Sequence, residues 1–173
     1  ATINVGVGWT ALSALTEGDN NTAIGGQAGN ALTTGEDNTF VGARAGKECI
    51  GNGKNTAFGY NAHCNISHAD GENNVAIGHS AMVSGGTASN NDASNNVAVG
   101  YESLKAITDG DSNVAVGYES LAALTTSDGT VAIGSSALSS LTLGNNNLAI
   151  GKQALQHCVA GEANIAIGNG ALA

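Results

Sequence analysis

The chain has 173 residues, with 26 glycines, no proline, 11% charged residues and 3% aromatic residues. Its 5 Lys and Arg against 14 Asp and Glu give a net charge of -9, which opposes binding to nucleic acid or to an anionic membrane. No run of apolar residues reaches the ~18 that a membrane-spanning helix needs. The apolar residues are mostly Ala, Val, Ile and Leu, so the composition predicts a core of small side chains.

A five-residue marker, Asn-x-Ala-Ile/Val-Gly, recurs from one end of the chain to the other. Successive markers are 17 residues apart, except for two central spacings of 19 and 22. A fixed period of this kind indicates a repeat architecture. We number the repeats as coils 1 to 10 and count positions from the marker glycine of each. The ten marker glycines are Gly8, Gly25, Gly42, Gly59, Gly78, Gly100, Gly117, Gly134, Gly151 and Gly168.

The residues before each marker glycine predict one short strand per coil. Positions -1 and -3 are mostly Val, Ile, Leu or Thr, and position -2 is mostly Ala. Alternate residues of a strand share a face, so the larger residues line one face and the alanines the other. The alanine face is formed by Ala23, Ala57, Ala76, Ala98, Ala115, Ala132, Ala149 and Ala166.

The residues after the glycine are less decisive. Position +3 is Ala or Ser, position +4 is usually Leu, and position +7 is mostly Leu, Ile or Cys, as in Ser103, Leu104 and Ile107. This spacing fits one helical turn or a second, bent strand, because three positions are too few to fix a period. Each coil then closes through Gly, Asp and Asn residues that favour turns.

A 17-residue unit cannot bury its apolar columns alone, whereas stacked units align equivalent residues. We therefore predict an all-β fold, a β-solenoid or trimeric parallel β-roll of about ten coils, with residues 1–173 as one repeat domain cut from a longer fibre. Ten coils at ~4.8 Å each give a rod of about 48 Å. Position -4 is Asn in every coil but one, where it is Thr130, and predicts a structural ladder of side-chain amides. Its members are Asn4, Asn21, Asn38, Asn55, Asn74, Asn96, Asn113, Asn147 and Asn164.

Both faces of the predicted strand are suited to burial, yet one coil has only one interior. The alanine face is suited to a close contact between chains, which favours a parallel homotrimer; end-to-end association into a filament is the second arrangement. The alternative is that alanine fits a narrow coil interior while Val and Ile face outward.

The marker segments resemble the repeats of a known group of proteins. Residues 74–78, Asn-Val-Ala-Ile-Gly, and residues 96–104 resemble the head repeats of trimeric autotransporter adhesins and the related repeats of phage and viral tail fibres. The resemblance covers nearly the whole chain. It implies trimeric β-rolls that project from a virion or cell surface and bind host surfaces. We therefore expect an extracellular, non-enzymatic, structural or adhesive fibre segment, with a host glycan or surface receptor as its partner, and neither membrane insertion nor nucleic-acid binding.

Position +1 collects most of the large rings of the chain and is the candidate ligand-binding column. Aromatic side chains can stack on sugar rings, so this column predicts glycan contact; the alternative is that the rings only cover the edge of the coil. The column includes Trp9, Tyr60, His79, Tyr101 and Tyr118.

The longer spacings place insertions at residues 63–72 and 84–94. Insertions in solenoids form loops on one face, often the binding face, although such loops also drift neutrally. His63, Cys64, His68 and His79 are metal-ligand types, but their spacing matches no closed zinc motif, and we expect no metal site and no cofactor.

Three cysteines cannot all pair within the chain. Cys49 and Cys158 both occupy position +7 and predict buried apolar residues too far apart for a disulfide, whereas Cys64 is either unpaired or a cross-link between chains. The acidic turns are candidate calcium ligands, with solvated surface charge as the alternative. They include Asp19, Glu36, Asp37, Asp109 and Asp111.

Two other functions are weighed against the fibre. Glu102 and Glu119 share one column and would stack at ~5 Å, the carboxylate separation of a retaining glycosidase, but repetition alone produces such a pair. A partial threonine column at position +8 favours an ice-binding or other surface-binding solenoid, although the column is interrupted. Its members are Thr16, Thr33, Thr108, Thr125 and Thr142.

Overall fold

The computed structural model describes residues 2–64, 71–84 and 91–173. It is a β-solenoid: each coil contributes one three-residue strand, all pairings are parallel, and the strands follow one another in chain order across a single ten-stranded sheet. The described residues contain no helix, and therefore none that could span a membrane. The strands are β1 Val5–Val7, β2 Thr22–Ile24, β3 Thr39–Val41, β4 Thr56–Phe58, β5 Val75–Ile77, β6 Val97–Val99, β7 Val114–Val116, β8 Val131–Ile133, β9 Leu148–Ile150 and β10 Ile165–Ile167.

The middle residue of each strand from β2 to β10 is buried and points into the coil, whereas that of β1, Gly6, is exposed. Ala98 and Ala115 are fully buried, and the register pairs them across β6 and β7. They form one core with the buried side chains at positions +4 and +7, such as Leu104 and Ile107. The prediction that the alanine face forms the contact between chains is therefore wrong. The coil is narrow enough for methyl groups to fill the strand side of its interior, and the larger residues at -3 and -1 face outward.

The marker glycines set how closely the coils stack. Their φ angles lie between 131° and 141°, a region that L side chains rarely adopt. A Cβ on Gly117 would lie 2.6 Å from the carbonyl oxygen of Gly134, the marker glycine of the next coil. Glycine is required at this position because the backbones of neighbouring coils leave no room for a side chain.

The segment after the glycine is neither a helix nor a second strand but a series of turns. Positions +2 and +4 take left-handed backbone conformations, with φ of 50° at Glu119 and 49° at Leu121. These non-glycine residues are held there by bonds between coils: the Leu121 N–H donates to the Ala137 carbonyl at 3.1 Å, and Leu121 is fully buried. Left-handed backbone conformations at alternate positions bend the chain sharply enough to close a coil in 17 residues.

The asparagine column forms a ladder of hydrogen bonds. Asn38 donates both its backbone N–H and its Nδ2–H to Oδ1 of Asn21, each at 3.0 Å. The same Nδ2 donates to the carbonyl of Asn52 in the next turn at 2.9 Å. Each amide thus joins two neighbours of the column and also satisfies a turn carbonyl, which leaves these buried polar groups paired.

Thr130 weakens this ladder because a hydroxyl replaces an amide. Its Oγ1 contacts the Gly144 carbonyl at 3.5 Å and the Asn147 N–H at 3.4 Å, both long for hydrogen bonds. We expect Thr130→Asn to raise the free energy of unfolding by about 1 kcal/mol. The reciprocal change, Asn113→Thr, should lower it by at least as much. Urea unfolding followed by circular dichroism measures both, and a destabilising Thr130→Asn would contradict the ladder's contribution.

Phe40 occupies the position that alanine takes in most strands, and two glycines make room for it. It is fully buried. A Cβ on Gly29 would lie 3.1 Å from the Phe40 ring, and one on Gly46 would lie 2.6 Å from it. Gly29 and Gly46 are the only glycines at position +4, where six other coils carry Leu and two carry His or Met. The ring therefore fills the space of two missing side chains.

This exchange of volume predicts a coupled pair of substitutions. Phe40→Ala should cost about 3–5 kcal/mol by leaving a cavity, and Gly46→Leu about 1–3 kcal/mol by overpacking against the ring. The double variant restores the arrangement of the regular coils, so its loss should be clearly smaller than the sum of the single losses. A double-mutant cycle of unfolding free energies measures this coupling; strictly additive losses would disprove it.

Candidate functional site

Four of the five rings predicted at position +1 form one stack on the outside of the rod. We call Tyr60, His79, Tyr101 and Tyr118 the ring stack. Its ring centroids lie 5.2, 5.3 and 5.3 Å apart, with interplanar angles of 28°, 19° and 8°. Backbone bonds between coils fix this register, as when the Glu119 N–H donates to the Tyr101 carbonyl at 2.9 Å. Trp9 belongs to the same column but is separated from Tyr60 by Gly26 and Ala43, and makes no ring contact with another described residue.

The stack determines which parts of the rings are available. His79 and Tyr101 have a ring against each face, so they present mainly their edges to solvent. Each end ring, Tyr60 or Tyr118, has a ring on one face and no other described ring on the opposite face. Tyr118 is accordingly 51% exposed, against 41% for Tyr101. The column is therefore not a continuous platform of ring faces. It is a ridge of edges and hydroxyls, with open faces only at its ends.

Charged groups lie beside the ring stack. Lys105 Nζ contacts Glu102 Oε2 at 2.5 Å. Hydrogen bonds from Lys105 and then Tyr101 lower the pKa of Glu102, and the bond to Glu102 raises the pKa of Tyr101. The nearby charge of Glu119 raises the pKa of Tyr118. The hydrogen bonds to Glu102 favour its ionised form, which does not suit it as a general acid.

An open groove adjoins these charges. It has a volume of about 340 Å³ and lies between coils 5 and 6, among residues that follow the marker glycines of these coils. Sequence reasoning missed it, because a groove between turns leaves no periodic signal. Its lining residues are Ser80, Val83, Ser84, Glu102, Lys105 and Ala106.

A second outward feature is the outer strand face, which we define as positions -3 and -1 of all ten strands. It is apolar over most of its length and partly or fully exposed in every strand. Phe58 is 58% exposed, Ile24 41% and Ile133 39%. Because the pairing is in register, these side chains form two straight rows along the rod. The sequence shows the pattern, but only the burial of the alanines shows which face points outward.

The threonines at position +8 use their hydroxyls within the protein. Thr108 Oγ1 donates to the Thr125 carbonyl at 3.1 Å, and Thr125 Oγ1 donates to the Thr142 carbonyl at 3.2 Å. The hydroxyl protons are thus directed along the rod rather than toward an external surface. Acidic turns are used similarly: Asp111 Oδ1 accepts the Ser94 N–H at 2.7 Å.

Two titratable groups, Cys49 and His63, are in contact in the interior. Cys49 Sγ lies 3.2 Å from Nδ1 of His63, and both residues are fully buried. Burial lowers the pKa of His63 to about 4 and raises the pKa of the Cys49 thiol. Both groups are therefore neutral near pH 7. Within the described part of the chain, no three His, Cys, Asp or Glu side chains are grouped to hold a metal ion.

The three cysteines differ in burial. Cys49 is fully buried as predicted, while Cys158 is only partly buried against the core. Cys64 is 3% exposed, so a cross-link between chains, which needs an accessible thiol, is not favoured. No disulfide joins any of the three, all of which lie in the described ranges.

The two insertions are described only at their edges. Residues 65–70, which include His68, and residues 85–90 lie outside the described residues. Around them the repeat is continuous: the Asn95 N–H donates to the Glu72 carbonyl at 2.9 Å, and the Asn96 N–H donates to Asn74 Oδ1 at 3.0 Å, so the asparagine ladder passes the insertion without a break. The insertions therefore leave the stacking of coils 4, 5 and 6 intact.

Comparison with known proteins found no relative of this chain. No protein-family model, curated protein or solved structure matches the chain.

Buried His63 predicts a loss of stability in mild acid. Its folded pKa of about 4 lies below the ordinary histidine pKa of 6.5, so the unfolded chain takes up a proton first as the pH falls. This contribution to stability is present above pH 6.5 and is lost progressively down to about pH 4, amounting to about 3 kcal/mol. Leu occupies the same position in six coils, so His63→Leu should remove this part of the pH dependence.

The measurement is urea unfolding of the original chain and of His63→Leu between pH 7.5 and 4.5. The other acidic groups titrate in both proteins, so their effects cancel in the difference. His157→Leu, which replaces an exposed histidine, is the matched control. Parallel stability curves for the original chain and His63→Leu would contradict the assignment.

Proposed function

We propose that the chain is a structural and adhesive segment of an extracellular fibre on a virion or cell surface, in which three parallel chains associate along their outer strand faces. The segment acts as a stiff spacer and carries ligand contacts on the surfaces that remain outside. This proposal agrees with the resemblance of the markers to adhesin heads and tail-fibre repeats.

The outer strand face is the observation that carries the proposal. Nine steps of ~4.8 Å and a width of three residues give a strip of about 43 by 10 Å, or about 430 Å². This is the size of the largest apolar patch on a typical soluble monomer, and such patches are often functional. Parallel sheets are normally covered on both faces, and here the coil covers only one. A second and third copy present the same two straight rows with the same spacing, so identical chains match along the whole length.

Stiffness supports the role of a spacer. Every coil is joined to the next by strand pairing, by bonds between turns and by the side chain at position -4. Bending the rod would require lengthening several of these bonds in one cross-section together. A long, unbranched rod of this kind transmits force and holds a binding site away from its base.

The ring stack supports the adhesive part. Its edges and hydroxyls project on the outside of the rod, next to Glu102 and Lys105. Exposed tyrosines combine an apolar body with a polar tip, which suits contact with the hydroxyl groups and apolar faces of surface glycans.

The test of the proposal is the mass of the chain in solution. Light scattering over a dilution series should give the mass of three chains. Replacing Val114 and Val116 together by Glu places two charges in the outer strand face of β7 and should reduce the mass to one chain. The matched control is Thr126→Glu in an exposed turn of the same coil, which should leave the mass of three chains unchanged.

Far-UV circular dichroism establishes that each variant keeps the solenoid. A monomer of the original chain at every concentration would overturn the proposed association. So would a Val114→Glu, Val116→Glu double variant that stays folded and keeps the mass of three chains.

A further inference from the structure

The groove between coils 5 and 6 has the dimensions of a small binding site. Its volume of about 340 Å³ lies at the lower end of the range for small-molecule pockets, about 300–1,000 Å³. It forms beside Ser84, where the long spacing between Gly78 and Gly100 begins. The described residues that line it come from equivalent positions, +2, +5 and +6, of two neighbouring coils.

The polar side of the groove is an oriented ion pair. Glu102 and Lys105 are in contact at 2.5 Å, and their side chains remain 23% and 42% exposed. Hydrogen bonding to Tyr101 as well as to Lys105 lowers the pKa of Glu102, so the carboxylate is ionised and held in place. The pair thus offers a fixed acceptor and a donor side by side to whatever enters the groove.

This combination occurs in one coil only. Coil 6 is the only one with opposite charges at positions +2 and +5. Coil 7 repeats the tyrosine and the glutamate as Tyr118 and Glu119, but carries Ala122 where coil 6 has Lys105. Coil 7 therefore serves as an internal control: its glutamate lies in the same column and beside the same kind of ring, but its position +5 holds no lysine.

The rest of the groove is mixed in character. Val83 and Ala106 provide apolar surface, and Ser80 and Ser84 provide hydroxyls. A sugar ring needs this arrangement: carbon-bound hydrogens on one side, and adjacent hydroxyls that both donate and accept hydrogen bonds. One hydroxyl can donate to the Glu102 carboxylate while its neighbour accepts from the Lys105 ammonium.

We propose that the groove lined by Ser80, Val83, Glu102, Lys105 and Ala106 binds one neutral sugar ring through a pair of adjacent hydroxyls. The inference rests on the proposed adhesive function and supplies its ligand class. A neutral ligand fits better than an ionic one because the pair already balances its own charge. An anion would be repelled by Glu102, and a cation by Lys105, unless the pair separated.

The experiment is saturation-transfer NMR of the original chain with methyl glycosides of glucose, galactose, mannose and N-acetylglucosamine. At least one of these should receive saturation and give a measurable dissociation constant on titration. Glu102→Gln should weaken that binding at least tenfold, and Lys105→Gln should do the same. Glu119→Gln is the matched control and should change the constant by less than twofold.

Circular dichroism and light scattering of the same samples separate this inference from the proposed assembly. A folded chain of trimeric mass that saturates none of the four glycosides would overturn the sugar site and leave the assembly standing. Equal weakening by Glu102→Gln and Glu119→Gln would also overturn it, by placing the ligand on the ring stack. Binding of glucuronate or of a free amino acid in preference to every neutral glycoside would overturn the neutral-ligand assignment.

Discussion

The close approach of consecutive marker glycines is the constraint on which the rest of the structure depends. With Gly117 and Gly134 in backbone contact, each coil must repeat the course of the one before it, because no side chain separates them. The strands then fall into register, and equivalent residues lie above one another along the rod. Asparagine stacks on asparagine, tyrosine on tyrosine and alanine on alanine. Each residue therefore packs against the equivalent residues of the neighbouring coils as much as against the rest of its own coil.

That constraint explains why the fold could be predicted from the sequence. Ten glycines at an almost constant interval, with Asn at -4 and apolar residues at -3 and -1, require stacked strands, and the ten parallel strands of the structure confirm the β-solenoid. The asparagine ladder also follows from the column, since an amide can donate and accept toward both neighbours.

The features that could not be predicted from the sequence depend on the course of the backbone within one coil. Alternation shows that Ala115 and Val116 lie on opposite faces of β7, but not which face points inward. The turns after the glycine have no period, because Glu119 and Leu121 adopt left-handed conformations that their residue types do not favour. Phe40 did leave a signal: it is the one large residue in the alanine column, and Gly29 and Gly46 are the two glycines at position +4.

The asparagine ladder also gives the rod a direction. Each Oδ1 in the column accepts from the coil that follows, as Asn96 accepts from Asn113, and the pattern continues in the same sense from coil to coil. At any cross-section the asparagine column therefore presents Oδ1 acceptors on one side and the matching amide donors on the other. The column can continue across a junction between two rods only if they meet head to tail, because a head-to-head junction would oppose like groups of the column.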